Sequence, residues 1–352
     1  MNKEKLKLNT CFTECLQKTT MIKTTFFLSL LALCLIACEQ KSKTQESPYS
    51  PHSTDTSQEV RKKQEEETEL GNEVFNEDTS WEDWEEDYQA ALVFDKDKII
   101  VDSNRVYKLQ QKITKKQAIF LHALVPLCDN EHQGIVPVNS RLGDGQNLRT
   151  NLYWGAGYGV KSHFLKAKDW TLIKSIKPLN KEVLERVIFH KTFDNKADVY
   201  LIADAYAGDQ MKKCLNDYMK SIAGLMVQTR VVDSQTINLY GASDLIIFNG
   251  HNGLMDNKID FQKNSDEKIR QAAAIGCISF DYFENYFRAA NCYPLITTTN
   301  LMAPEAYVLE ALVNGFANLK EGEEIRKSIG VAYHNYQKCG VKGATRLFKT
   351  AW

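Results

Sequence analysis

Hydrophobic residues are unevenly spread along this chain, and their spacing changes character near residue 90. Before that point one apolar block, Phe26 to Ala37, stands among polar residues, and residues 1–20 show no apolar periodicity. From Glu39 to about Gln89 aliphatic side chains are sparse. Between Lys41 and Gln64 only Val60 interrupts a composition rich in Ser, Thr, Gln, Lys and Pro, and the acidic runs Glu65–Glu69 and Glu82–Asp87 follow. Such a segment buries too little apolar surface to offset the entropy of ordering, and its like charges repel one another. The expectation is a disordered acidic tether over residues 38–90, with Trp81, Trp84 and Tyr88 docking on the domain that follows or, as the alternative, forming an acidic-aromatic motif that binds a partner.

From residue 91 onward the pattern is globular. Apolar runs at Gln117–Val125, Trp170–Ile176, Ala197–Ala203, Asp244–Asn249, Gln271–Ile275 and Tyr293–Thr299 read as strands. The unbroken ones, such as Leu245-Ile-Ile-Phe248, have the character of strands buried on both faces, as in a parallel sheet. Leu92–Phe94 and Ile99–Val101 flank a charged turn and predict a hairpin or edge element between Ala91 and Leu109. Helices are predicted over Val160–Ala167, over Asn180–Phe189 (Val183, Leu184, Val187 and Ile188 forming one face), over Gln210–Ile222, over Glu305–Ala317 behind Pro304, and from Glu321 onward. Ser279–Arg288 opens as a helix directly after a strand. This alternation predicts an α/β fold, a three-layer sandwich around a mostly parallel sheet, occupying residues 91–352.

Composition narrows the functional classes. The chain has 352 residues, 43% hydrophobic and 25% charged, with a net charge of −1, which argues against a broad nucleic-acid surface. Nine cysteines include no CxxC pair, so a zinc ribbon is not supported and no metal or other cofactor is expected. Past residue 38, the five that remain (Cys128, Cys214, Cys277, Cys292 and Cys339) are an odd number, which leaves at least one free thiol, and Cys277 is the one expected. Tyr153-Trp-Gly-Ala-Gly-Tyr-Gly159 has glycines at alternate positions, lacks the GxGxxG spacing and is followed by no GKS or GKT, so it reads as close backbone packing and not as a phosphate loop. The Cys128–Asn151 loop carries Cys128, Asp129 and His132. It is long enough to contact substrate, although a structured loop with incidental polar residues is the simpler reading.

Two residues carry the candidate chemistry. One apolar run ends Asn249-Gly-His251-Asn252-Gly253, and the other ends Ile275-Gly-Cys277-Ile-Ser279. In an open parallel sheet the reacting groups sit just past the carboxyl ends of the strands. If the two strands are neighbours, an imidazole and a thiol arrive side by side, and an adjacent His can generate or stabilise the thiolate nucleophile. The competing reading is structural, because free Cys is among the most buried residue types. Asp204 and Asp209 end another strand. They suit either a cation or basic substrate side chain, or, for Asp204, the cap of the helix that follows.

These residues resemble those of the caspase-like cysteine peptidases, in which one apolar strand ends in His-Gly and a later one in the catalytic Cys. The resemblance implies a Cys–His dyad of Cys277 and His251 and an oxyanion site at Asn252 and Gly253. It also implies a pocket for the residue before the cut along Thr297, Thr298, Thr299 and Asn300. Here the order is His-Asn-Gly, which moves the oxyanion donor by one residue. The expected activity is hydrolysis of peptide bonds in a peptide or protein substrate. An amidase or transferase acting on cell-wall peptides, or a domain that binds a peptide or glycan without catalysis, fits the same residues.

Leu35-Ile-Ala-Cys38, behind the apolar block and the positive Met21-Ile-Lys23, resembles the bacterial lipobox. That implies a lipoprotein signal peptide with its N-terminal extension over residues 1–37, acylation at Cys38, and a chain anchored to a membrane of the bacterial cell envelope. A plain secretory peptide with a coincidental Cys is the alternative. The stretch from Ala118 to the C-terminus is also similar to bacterial lipoproteins carrying strings like Tyr153–Gly159 and Leu301–Tyr307, which supports a coherent domain and brings no activity with it.

Overall fold

A computed structural model of the protein describes residues 95–352. The proposed signal peptide, Cys38, the tether with its aromatic residues, and Leu92–Phe94 lie outside the described residues.

The described chain is α/β. In chain order it runs α1 (Arg105–Thr114), β1 (Ile119–Pro126), α2 (Val160–Lys166), β2 (Thr171–Ile176), β3 (Val183–Thr192), β4 (Asp198–Tyr206) and α3 (Met211–Ile222). A two-stranded hairpin follows, β5 (Val227–Val232) and β6 (Gln235–Tyr240), then β7 (Leu245–Asn249), β8 (Gln271–Ile275), α4 (Ser279–Ala289) and β9 (Tyr293–Thr298). The chain closes with α5 (Ala306–Ala317), α6 (Gly322–Gln337), α7 (Val341–Leu347) and β10 (Phe348–Lys349). The large sheet has eight strands in the order β10-β9-β8-β7-β1-β4-β3-β2. From β9 to β4 neighbouring strands are parallel, while β3 and β2 on one side and β10 on the other join antiparallel.

Alternation within the central strands explains the layers. In β1, Ile119, Leu121, Ala123 and Val125 enter a core shared with α1, α2, α5 and α6, while Phe120 and Leu124 enter a second core with α3 and α4. Strand β7 divides the same way, Leu245 and Ile247 against Ile246 and Phe248. Helices therefore cover both faces, and a strand between them is apolar at nearly every position, the buried His122 of β1 and Asp204 of β4 being paired with each other. Burying a large side chain such as Phe248 contributes about 1.5–3 kcal/mol. Strand β8 is built of alanine at its centre, and on its α3–α4 face the Tyr218, Phe248 and Phe283 rings pack at 5.5–5.9 Å.

Two expected elements are corrected. Asn180–Phe189 is not a helix: β3 runs from Val183 to Thr192. Val187 and Phe189 enter one core and Val183 and Ile188 the other, so a strand buried on both faces imitates the i, i+1, i+4, i+5 spacing of a helix. The hairpin or edge element between Ala91 and Leu109 does not form among the described residues. Ile99–Val101 is in no strand, and Arg105–Leu109 begins α1, whose Leu109 and Ile113 are buried.

The parallel strands, numbered by appearance, stand in the order 2-1-3-4-5 (β4, β1, β7, β8, β9). Chain progression reverses between β1 and β7, and in sheets of this kind ligands bind outside the carboxyl ends of the strands beside that reversal.

Candidate functional site

His251 and Cys277 come from neighbouring strands. Strand β7 pairs in parallel with β8, with Asn249 opposite Ile275, so both residues lie two positions past the last register pair. The two connections stay in contact beyond the sheet. Gly250 N–H donates to Ile275 O at 3.0 Å, and a Cβ at Gly276 would stand 2.8 Å from Gly250 O, so a side chain there would force the strand ends apart.

The Asn that departs from His-Gly has a structural task. Asn252 is buried; its Nδ2 donates to Cys277 O at 2.8 Å, and its Oδ1 accepts from Leu254 N–H at 3.2 Å. One side chain thus joins the His loop to the Cys loop and opens the short 3-10 turn Gly253–Met255. One of its two side-chain N–H bonds is engaged with Cys277 O, which leaves the second, beside the backbone donors, for the expected oxyanion role. Gly253 is buried against Met211 and Leu215 of α3, and its N–H has no acceptor among the described residues.

The turn after Cys277 is held from β9. Ile278 adopts a left-handed conformation (φ 48°), and its N–H donates to Asn300 O at 3.1 Å. Ser279 then begins α4: its Oγ donates to Ala274 O at 2.6 Å, its N–H donates to Thr298 Oγ1 at 3.1 Å, and Thr298 Oγ1 donates to Gly276 O. Cys277 as a residue is partly exposed, and its sulfur is held by backbone. The sulfur accepts from Met302 N–H at 3.3 Å and donates to Met302 O at 3.4 Å. Among the described residues it has no hydrogen bond to His251.

The imidazole of His251 has a different partner, one the sequence did not single out. Its Nε2 lies 2.5 Å from Asp256 Oδ2, and the same oxygen accepts from Gly134 N–H, in the loop after β1, at 3.2 Å. The signal available was a carboxylate five residues past the candidate base, too common a feature to select without the fold.

Asp204 is inside β4, not past its end, and is fully buried. Its Oδ1 takes Arg186 Nε at 2.6 Å, and its Oδ2 takes Arg186 Nη2 at 2.6 Å and His122 Nε2 at 3.1 Å. It therefore neither contacts substrate nor caps α3. Burial by itself would raise this carboxyl, but Arg186 and His122 outweigh it and hold the group well below the usual carboxylate range. Thr297 and Thr298 are fully buried, so neither reaches a bound substrate without rearrangement, and Thr298 instead locks the Cys277 turn. Thr299 and Asn300 are exposed beside that turn. Thr299 donates to carbonyls of α7, and Asn300 accepts from its neighbour Leu301.

The Cys128–Asn151 loop does not pair Cys128 with His132. Cys128 is buried, and His132 Nδ1 lies 3.0 Å from Asp129 Oδ2. Burial pushes the Cys128 thiol up to about 11 and raises Cys214 and Cys292 as well, so these three are protonated at neutral pH. All five cysteines among the described residues are unpaired, and Cys277 and Cys339 are the two that are not buried. Two of the three glycines of Tyr153–Gly159 do permit close packing: a Cβ at Gly155 or Gly159 would fall within 2.5 Å of backbone atoms. Among the described residues no group of three or more His, Cys, Asp or Glu is arranged to hold a metal ion, and no helix is long and apolar enough to cross a membrane.

The site is thus a partly exposed cysteine and a carboxylate-bound imidazole, on adjacent parallel strands at the carboxyl edge of an α/β sheet. Comparison of the chain with protein-family models, with curated proteins and with solved structures found no match in any of the three.

Proposed function

We propose that the protein is a cysteine hydrolase of the caspase-like kind that cuts peptide bonds with Cys277 as nucleophile and His251 as base. The observation that carries this reading is the delivery of the two side chains from β7 and β8 at equal distance past the register, with Asn252 tying the two loops together. In the first half-reaction the Cys277 proton passes to His251, the sulfur attacks the peptide carbonyl carbon, the C–N bond breaks, and the leaving amine takes the proton from His251. Water then attacks the thioester, its proton passes through His251 to the departing thiolate, and the acid product leaves. The Gly253 amide suits the oxyanion that forms in each half. Reaching this geometry requires the sulfur to leave Met302.

The test is the pH dependence of Cys277 alkylation by iodoacetamide, read on the Cys277 peptide by mass spectrometry. The reading expects rapid labelling at pH 6 that is lost or shifted upward in His251→Ala, together with peptide hydrolysis abolished in Cys277→Ala. An ordinary thiol profile in both proteins would sink it. That result would favour a non-catalytic peptide- or glycan-binding domain, a reading supported by the hold of Met302 on the sulfur.

We also propose that this domain is displayed at a bacterial membrane through a lipid on Cys38, on the strength of Leu35-Ile-Ala-Cys38. Cys38→Ser should release the protein from the membrane fraction; unchanged membrane association would count against the anchor.

A further inference from the structure

We infer that Asp256 is the positioning residue of this site: it fixes the tautomer of His251 and so leaves Nδ1 as the nitrogen that exchanges a proton with Cys277. The inference rests on the cysteine-hydrolase reading and adds a third residue to the dyad.

The hydrogen bonds set the protonation of the ring. A carboxylate only accepts, so the 2.5 Å contact of His251 Nε2 with Asp256 Oδ2 places the ring proton on Nε2. In the neutral ring Nδ1 then holds a lone pair, and among the described residues it has no hydrogen-bond partner. A base needs one such nitrogen and an orienting group on the other.

The carboxylate is itself held. Asn252 Oδ1 starts the turn by accepting from Leu254 N–H, and Asp256 N–H donates to Gly253 O at 3.2 Å. Asn257 Nδ2 donates to the same carbonyl at 2.9 Å. This turn folds the chain back so that a residue five positions later meets the imidazole. From the other side the loop after β1 presses on the carboxylate. Gly134 N–H donates to Oδ2, and a Cβ at Gly134 would stand 2.2 Å from Oδ1. The contact crosses from the β1 loop to the β7 loop, where the sheet order reverses and a ligand of such a sheet is expected. The His251 side chain is 8% exposed and that of Asp256 27%, so the pair is sheltered without being sealed.

Gly134 provides a test that leaves both members of the pair intact. Gly134→Ala places a methyl where the carboxylate lies, displacing it while keeping its charge and the imidazole; Asp256→Ala removes it. Both variants, wild type and His251→Ala would be compared as full chains, with folding checked by circular dichroism. One readout is the ¹⁵N shift pair of the His251 ring in histidine-labelled protein, which reports the tautomer whether or not the protein is an enzyme. The other is the pH profile of Cys277 alkylation, which a merely structural role would not move.

The expected result is an Nε2–H tautomer in wild type and loss of that preference in both variants. Alkylation at pH 6 should fall by about tenfold or more, toward the rate of His251→Ala. The inference is overturned if His251→Ala slows alkylation while Asp256→Ala and Gly134→Ala keep the wild-type tautomer and profile; the dyad then stands without a third member. If His251→Ala leaves alkylation unchanged, the hydrolase reading fails first and the role given to Asp256 falls with it.

Discussion

Among the His–Asp pairs of the described residues, His122–Asp204 and His251–Asp256 are built for different ends. His122 and Asp204 meet at 3.1 Å between β1 and β4, and both side chains are wholly buried. Every polar atom of that His is used: Nδ1 accepts from Tyr240 N–H at 2.7 Å, and Nε2 donates to Asp204. Asp204 is saturated by the two-point contact of Arg186, with Tyr240 Oη close to both partners. His251 and Asp256 meet at 2.5 Å on a loop past β7, and there the His keeps one nitrogen without a partner among the described residues. The same two residue types are thus structural when burial and pairing use every lone pair, and suited to chemistry when one lone pair is left unengaged at the carboxyl edge of the sheet.

The most disruptive way to break the comparison is Asp204→Asn. It leaves the buried Arg186 guanidinium without its counter-charge, and losing one member of a buried ion pair costs about 3–5 kcal/mol. Urea unfolding should register that loss, whereas Asp256→Ala, at a partly exposed pair, should cost about 1 kcal/mol or less.

The buried pair also sets an acid limit. Burial lowers the pKa of His122, so the unfolded chain takes up this proton near pH 6.5 and the folded protein only at lower pH. Asp204, held low by Arg186 and His122 against the opposite effect of burial, behaves likewise below about pH 4. In both windows the unfolded state binds more protons, so stability is complete above about pH 6.5 and falls as pH drops through each. Urea midpoints measured between pH 7 and 3 should show this descent, and Asp204→Asn should remove the lower limb. A midpoint independent of pH in the wild type would contradict the role given to the pair.

A milder change than Asp204→Asn probes the loops at the His251 side. Asn252→Ala leaves Cys277 O without its 2.8 Å donor, at a cost of about 0.5–1.5 kcal/mol for a lost, partly buried hydrogen bond. It should also loosen the register of the two loops, so Cys277 alkylation should lose its pH-6 component while the sheet stays folded. Unchanged alkylation would mean that the link through Asn252 does not hold the site.

Much of this was legible in the residues. The apolar runs before His251 and Cys277 dictated strands buried on both faces, and such strands must lie inside a sheet covered by helices. Chain order then placed both side chains at one edge, and the helix expected at Ser279 forms. The reading faltered wherever a pattern has two physical solutions. Val183–Phe189 fits one helix face or both strand faces, and only the partners β2 and β4 decide for the strand. Asp204 reads as a strand-end carboxylate because Ala203-Asp-Ala interrupts the apolar run, yet the strand continues to Tyr206, since Arg186 neutralises the charge from β3.

Local alternation and chain order are properties of the string, and they set the α/β class, the strand ends and the types of reactive group those ends carry. Which carboxylate meets the imidazole, which backbone holds the sulfur and which Asp is sealed away follow from the packing of distant segments. Asp256 is fixed by Gly134, 122 residues earlier, and Cys277 by Met302, 25 residues later. Contacts of that kind depend on how separate loops pack against one another, and no periodicity in the chain encodes them.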